Sequence, residues 1–147
     1  LDVVCVRFSA VFGPWAPGGG GPATSAMGDW LTALAAGQDV PILPMRTEWL
    51  YSKDAGRGAW LACWAENLED RVFNIGSGEI VSISDIARGA IEVSGRSNVE
   101  YTDLEQNIDY SPTSIMADIG KVTATIDWRP RVSLSEGLKR IWDSYVN

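Results

Sequence analysis

The chain has 147 residues, 46% hydrophobic and 21% charged, the balance of a globular protein with enough apolar material for a core. Twelve Lys and Arg against nineteen Asp and Glu give a net charge of −7 without any basic run, which argues against nucleic acid and anionic membrane surfaces as partners. There is no histidine, so Ser-His-Asp and Cys-His catalysis, His-ligated zinc and a histidine pH switch are excluded from these residues.

In chain order, Leu1 to Phe8 (LDVVCVRF) reads as a buried parallel strand, because it is an apolar, β-branched run of strand length. A chain that opens directly on such a strand is expected to be a segment of a longer polypeptide. Gly13 to Pro22 holds five glycines and three prolines, and predicts an irregular loop. Residues 24–36 carry Met27, Trp30, Leu31, Leu34 and Ala35 at helical spacing, with Gly37 as the stop. Val40 to Leu43 and Glu48 to Tyr51 read as two short strands joined by a hairpin turn at Pro44-Met45-Arg46-Thr47. Residues 54–66 form the next predicted helix, with Ala55, Ala59, Ala62 and Cys63 on a small-residue face and Trp60 and Trp64 on a stripe expected in the core. Arg71 to Ile75 is a second buried-strand run, broken at Gly76-Ser77-Gly78. Ser82-x-x-Asp85 opens a helix whose positions 83, 86, 87, 90 and 91 form one apolar stripe. Val99 to Thr102 is a short strand. Ser133-x-x-Glu136 opens the last helix, with Leu134, Leu138, Ile141, Trp142 and Tyr145 at helical spacing. Strands and helices thus alternate as in an α/β sheet, with too few buried strands for an independent one. Cys5 and Cys63 lie in apolar runs and read as buried thiols of a cytoplasmic protein. No apolar stretch reaches the roughly 18 to 20 residues needed to cross a bilayer.

The familiar site signatures are missing from these residues. Gly18 to Gly21 lacks the strand and helix context of a dinucleotide fingerprint, and Gly120-Lys121 is followed by Val122, where a P-loop needs Ser or Thr. Glu100, Asp103, Glu105 and Asp109 lack calcium-loop spacing and read as a solvated acidic face. No tyrosine has a lysine four residues on, which removes the Tyr-Lys proton-transfer pair. Trp15 and Trp49 adjoin loops and are the tryptophans open to ligand contact.

Several motifs nevertheless occur together and in order. Arg7-Phe8-Ser9-Ala10-Val11-Phe12-Gly13-Pro14 resembles the R-x-F-N-V-Y-G-P segment of extended short-chain dehydrogenases, the NAD-dependent epimerase/dehydratase family. Trp49 to Asp54 resembles the family's R-D-F-I-Y-V-x-D, and Val72 to Gly78 its Y-N-I-G-x-G. Asp118 to Lys121 with Asp127 to Pro130, and the closing Leu134 to Leu138, resemble its D-x-x-K, L-G-W-x-P and L-x-E-G-L ending. The resemblance implies an α/β fold: the C-terminal part of a Rossmann-type doubly wound sheet plus the small α/β substrate-binding lobe, with residues 1–147 as the C-terminal half and the nucleotide-binding half absent. In that family the glycine-rich loop and the Tyr-x-x-x-Lys pair precede the R-x-F-N-V-Y-G-P strand, so the expectation is a half that is inactive alone, with no catalytic residue of its own.

The resemblance also implies site residues. Phe8, Ser9 and Val11 occupy positions that line the nicotinamide of NAD or NADP, which a half without the glycine-rich loop is not expected to hold tightly. Ala10 stands where the family often carries a substrate-binding asparagine. Pro41, Ile42, Leu43, Arg46 and Thr47 correspond to the lobe that grips the substrate, with Trp49 beside them. One family arginine aligns with Thr47 and another with Ile108, so the expected substrate is a nucleotide sugar or a sugar acid. The alternatives are a non-catalytic sugar-nucleotide or sugar-acid binding module and an interaction protein that pairs with a partner or its own copy through an open sheet edge.

Overall fold

The computed structural model describes residues 2–14, 28, 31–33, 36–38, 40–42, 46–96, 101–103 and 115–146. In chain order the elements are β1 (Cys5–Phe8), β2 (Ala10–Phe12), β3 (Val40–Ile42), β4 (Arg46–Tyr51), α1 (Ser52–Trp64), β5 (Val72–Ile75), β6 (Ile80–Ser82), α2 (Ile83–Ser94), β7 (Tyr101–Asp103), α3 (Gly120–Ile126) and α4 (Leu134–Val146). Residues 28 and 31–33 are helical within the helix expected over 24–36, and Gly37 takes the left-handed conformation that stops it. The rest of that helix, the glycine-rich loop with Trp15, and Glu100, Glu105 and Asp109 lie outside the described residues.

The arrangement turns on Ser9. β1 pairs in parallel with β5, in the register Cys5↔Val72 to Phe8↔Ile75. One residue later β2 pairs in parallel with β4, Ala10↔Trp49 to Phe12↔Tyr51, and β4 pairs antiparallel with β6. A single extended run therefore changes sheets at Ser9, and a gap opens between the two sheets at the carboxyl end of β1 and β5. β3 pairs in parallel with β7. The expected hairpin between the third and fourth strands is not formed: Arg46 and Thr47 belong to β4, whose partners are β2 and β6.

Side chains alternate along β4, so one strand serves two cores. Trp49 and Tyr51 join Phe12, Leu31, Ile83, Ile86, Ala87, Ala90, Leu138 and Ile141, which packs α2 and α4 against the three-stranded sheet. Leu50 joins Ala55, Ala62, Phe73, Ile75, Val122 and Trp128, which packs α1 and α3 against the two-stranded one. Phe12 lies edge-on to both Trp49 and Tyr51, at centroid distances of 6.3 and 5.6 Å. α4 comes close because Gly137 faces that ring: a Cβ there would lie 2.5 Å from Phe12 Cε2 and 3.1 Å from Tyr51 Cδ2.

Both capping motifs operate. Ser82 Oγ accepts from the Asp85 N–H at 3.0 Å, donates to Asp85 Oδ2 at 2.7 Å, and starts the apolar stripe of α2. Ser133 Oγ accepts from the Glu136 N–H at 3.2 Å. The hydrogen bonds from the Ser82 hydroxyl and main chain hold the Asp85 carboxyl below its ordinary range.

Three burial expectations fail. Trp60 and Trp64 are 61% and 71% exposed, because α1 meets the sheet through Ala55, Gly58 and Ala62, and a Cβ at Gly58 would lie 2.7 Å from Ile75 Cδ1. The first strand is largely exposed, including Val3 and Phe8, because within the described residues β1 has a partner on one edge only. For the same reason Cys5 is exposed, and Cys63 sits on the open side of α1. The short helix α3 was not anticipated, although Ile119, Val122 and Ile126 pack on one side of it.

Replacing Gly137 with Ala gains helix propensity of about 1 kcal/mol but overpacks Phe12 by roughly 1 to 3 kcal/mol, so urea denaturation is expected to show a net loss. A more stable variant would mean that α4 is not seated on Phe12. Ser82→Ala is expected to cost about 1 kcal/mol near neutral pH. Asp85 has a lowered folded pKa, so its contribution is present above the ordinary carboxylate value and is lost as pH falls through the folded one. The Ser82→Ala deficit should therefore shrink in acid; a deficit that grows there contradicts the assignment.

Candidate functional site

A cleft of about 320 Å³ opens where the run changes sheets, lined by Arg7, Phe8, Ser9, Ala10, Thr47, Glu48 and Asn74, with Ile115 to Ala117 along one side. It lies at the carboxyl ends of parallel strands, the usual ligand position in open α/β sheets. A larger cavity of about 390 Å³ lies at the amino ends of β1 and β5 against α1, and holds none of the residues picked out for ligand contact.

The cleft's framework is a residue that the sequence reading passed over. Glu48 is 1% exposed, and both of its oxygens accept main-chain hydrogen bonds: Oε1 from the Gly78 N–H at 2.6 Å and Oε2 from the Ala117 N–H at 2.8 Å. It thereby fastens the Gly76-Ser77-Gly78 turn and the 115–117 segment to β4. Gly76 leaves the room, since a Cβ there would lie 2.7 Å from the Glu48 carboxyl carbon and from Ala117 Cβ. Gly78 has φ +73°, a backbone that suits glycine. The signal was present: a charged residue two positions before Leu50 shares the inward face of that strand, and buried charges are rare unless held.

Six residues on, Asp54 does the same for the C-terminal part of the chain. It is 3% exposed, and its Oδ2 accepts from the N–H groups of Arg131 and Val132 at 2.8 and 2.9 Å. Its Oδ1 meets Arg57 at 3.1 Å, and its carbonyl accepts from the Trp128 indole N–H at 3.1 Å. Arg57 also donates to the Arg129 carbonyl and lies over the Trp128 ring.

Of the residues named for ligand contact, the structure brings Phe8, Ser9, Ala10 and Thr47 together in the cleft. Val11 points away on β2 toward the Leu50 core. Arg46 lies exposed at the start of β4. Trp49 is buried beside Phe12 and borders a separate cavity of about 80 Å³. Pro41 and Ile42 lie on β3, paired with β7, and Leu43 is outside the described residues. Among the described residues, Ser9 Oγ is buried without a hydrogen-bond partner, as is Trp49 Nε1. Among the described residues there is no cluster of His, Cys, Asp and Glu fit to hold a metal, and no helix long and apolar enough to cross a membrane.

The sequence model described as "NAD dependent epimerase/dehydratase family" matches residues 1–76. A UDP-glucuronic acid 4-epimerase from Bacillus cereus, solved in complex with NAD, is 27% identical, with a TM-score of 0.75 over 95% of this chain and 42% of that one. A UDP-N-acetylglucosamine 4-epimerase from Methanobrevibacter ruminantium, in complex with UDP-N-acetylmuramic acid, is 20% identical with a TM-score of 0.79, covering 99% of this chain and 46% of that one. A dTDP-glucose 4,6-dehydratase from Bacillus anthracis, in complex with NAD, is 18% identical with a TM-score of 0.78, covering 98% and 44%. The last two likenesses speak for the fold alone. No curated protein matches. The fold is thus that of Rossmann-type epimerases and dehydratases, and the chain spans less than half the length of these solved structures.

Glu48→Gln keeps one acceptor oxygen and turns an amide N–H₂ on the other main-chain donor, so a loss of about 1 to 3 kcal/mol is expected in urea denaturation. An unchanged midpoint would show that Glu48 does not carry the bridge.

Proposed function

The chain belongs to the NAD dependent epimerase/dehydratase family, and on that premise we propose that its cleft is the wall of a nucleotide-sugar epimerase or dehydratase site that faces substrate and nicotinamide. The observation that carries this reading is the sheet switch at Ser9, which gathers Phe8, Ser9, Ala10 and Thr47 at the carboxyl end of two parallel strands.

Residues present here fit a bound nicotinamide in one respect: Ser9 Oγ is buried and has no partner among the described residues, so a polar group or water at the rear of the cleft would satisfy it. Phe8 offers an apolar surface and Thr47 a hydroxyl from the facing strand. NAD or NADP, when bound, supplies the hydride acceptor and donor. The chain's own residues bind and orient, and proton transfer falls to groups outside them, because no Tyr-x-x-x-Lys occurs in the sequence. The same reading assigns Pro41, Ile42, Leu43 and Arg46 to the nucleotide part of the substrate.

The exposed apolar residues Val3, Phe8, Val72, Trp60 and Trp64 flank the open edge of β1 and the outer side of α1. Parallel sheets are ordinarily covered on both faces and stable sheets have more than two strands. This supports a docking role for that edge, with further strands and the proton-transfer pair arriving from a segment or chain beyond these 147 residues.

Incubating the purified chain with UDP-glucuronic acid and NAD should give saturable but weak ligand binding by tryptophan fluorescence and no conversion of the sugar. Robust NAD-dependent turnover would overturn the division of labour, and binding of neither ligand would overturn the site.

A further inference from the structure

Arg7 lines the cleft, is exposed, and has no ion-pair or hydrogen-bond partner among the described residues. By contrast, Arg57, Arg71, Arg88 and Arg140 are each held by a carboxylate. Its register partner on the neighbouring parallel strand is Asn74, which also lines the cleft. Asn74 Nδ2 donates to the Asp118 carbonyl at 3.5 Å, a long bond that leaves the second amide hydrogen for a ligand. Thr47 brings a hydroxyl from the facing strand.

The acidic group in the lining does not cancel this positive character. Both oxygens of Glu48 are engaged by the N–H groups of Gly78 and Ala117, so its charge is met by main-chain dipoles. The cleft therefore presents a free guanidinium with two neutral hydrogen-bonding side chains, in a chain whose net charge is −7.

We infer that Arg7, Asn74 and Thr47 form an oxyanion-binding subsite of the cleft that takes the carboxylate or phosphate of a small ligand. The inference rests on the reading of the cleft as a substrate site and narrows it to substrates with an anionic group there. A planar guanidinium matches two oxygens at once, so recognition is of the paired-oxygen face as well as of charge.

The test is a titration of the ¹⁵N-labelled full chain, followed by amide shifts, with glucuronate, inorganic phosphate and glucose, and with chloride at matched ionic strength. Glucuronate or phosphate is expected to shift Phe8, Thr47 and Asn74 saturably, the tighter of the two identifying the source, while glucose and chloride leave them in place. Arg7→Gln should weaken the response by about tenfold or more and Arg7→Lys by less, since a lysine keeps the charge without the fork. No saturation with either anion, an equal response to glucose or chloride, or an unchanged response in Arg7→Gln overturns the subsite. Arg7 is exposed, so the variant's remaining spectrum reports an intact fold; should it not fold, Thr47→Val and Arg7→Lys carry the comparison. Titrating NAD into the same samples separates the two claims. An NAD response without an anion response removes the subsite and leaves the reading of the cleft as a nicotinamide-facing wall, and the reverse leaves the subsite and removes that reading.

Discussion

A buried carboxylate with two oxygens and two main-chain donors is the constraint on which the cleft depends. Glu48 sits at the point where β4 passes under both the glycine turn after β5 and the segment before α3, and neither of these has a strand partner to hold it there. Main-chain donors buried without partners cost of order 1 to 3 kcal/mol each, and an unpaired buried carboxylate costs more. Each group therefore requires the other. Asp54 repeats the device in the first turn of α1, where it gathers the chain between Trp128 and Val132. Two acids six residues apart thus tie the C-terminal third of the chain to one strand-helix unit.

The same unit explains how a small α/β chain keeps an open cleft between its sheets. β4 feeds one core with Trp49 and Tyr51 and the other with Leu50, so the two sheets are mechanically joined even though their strands separate at Ser9. The separation leaves Arg7, Ser9, Asn74 and Thr47 around a gap instead of paired across a continuous sheet. Close packing by glycine keeps the joint compact: Gly58 lets α1 lie on Ile75, and Gly137 lets α4 lie on Phe12.

Much of this was legible in the sequence where local chemistry dictates the outcome. The capping serines Ser82 and Ser133 and the stripes behind them fall where periodicity puts them, because N-caps and 3.6-residue spacing act within one turn. The motif resemblance put Phe8, Ser9 and Val11 at the end of the sheet and Thr47 in a separate lobe, whereas the structure lines one cleft with Phe8, Ser9 and Thr47 and turns Val11 to the Leu50 core. What failed was burial and pairing, which are set by distant partners. An apolar run reads the same whether its edge is covered or open, so Leu1 to Phe8 looked interior. Trp60 and Trp64 looked like core because a small-residue stripe and a tryptophan stripe share one helix, and close approach to a sheet selects the small one. Glu48 was passed over because its partners, 30 and 69 residues away, are main-chain groups that leave no trace in residue type.

In the function proposed above, this chain supplies a braced wall for ligand and proton transfer comes from elsewhere. The brace is the part of that account on which the cleft stands. Amide hydrogen exchange of the intact chain at Gly78 and Ala117 tests it most directly. The account predicts protection approaching that of the β4 and β5 amides, although both residues lie outside regular structure. Exchange of these two amides at the rate of exposed loop residues would contradict it.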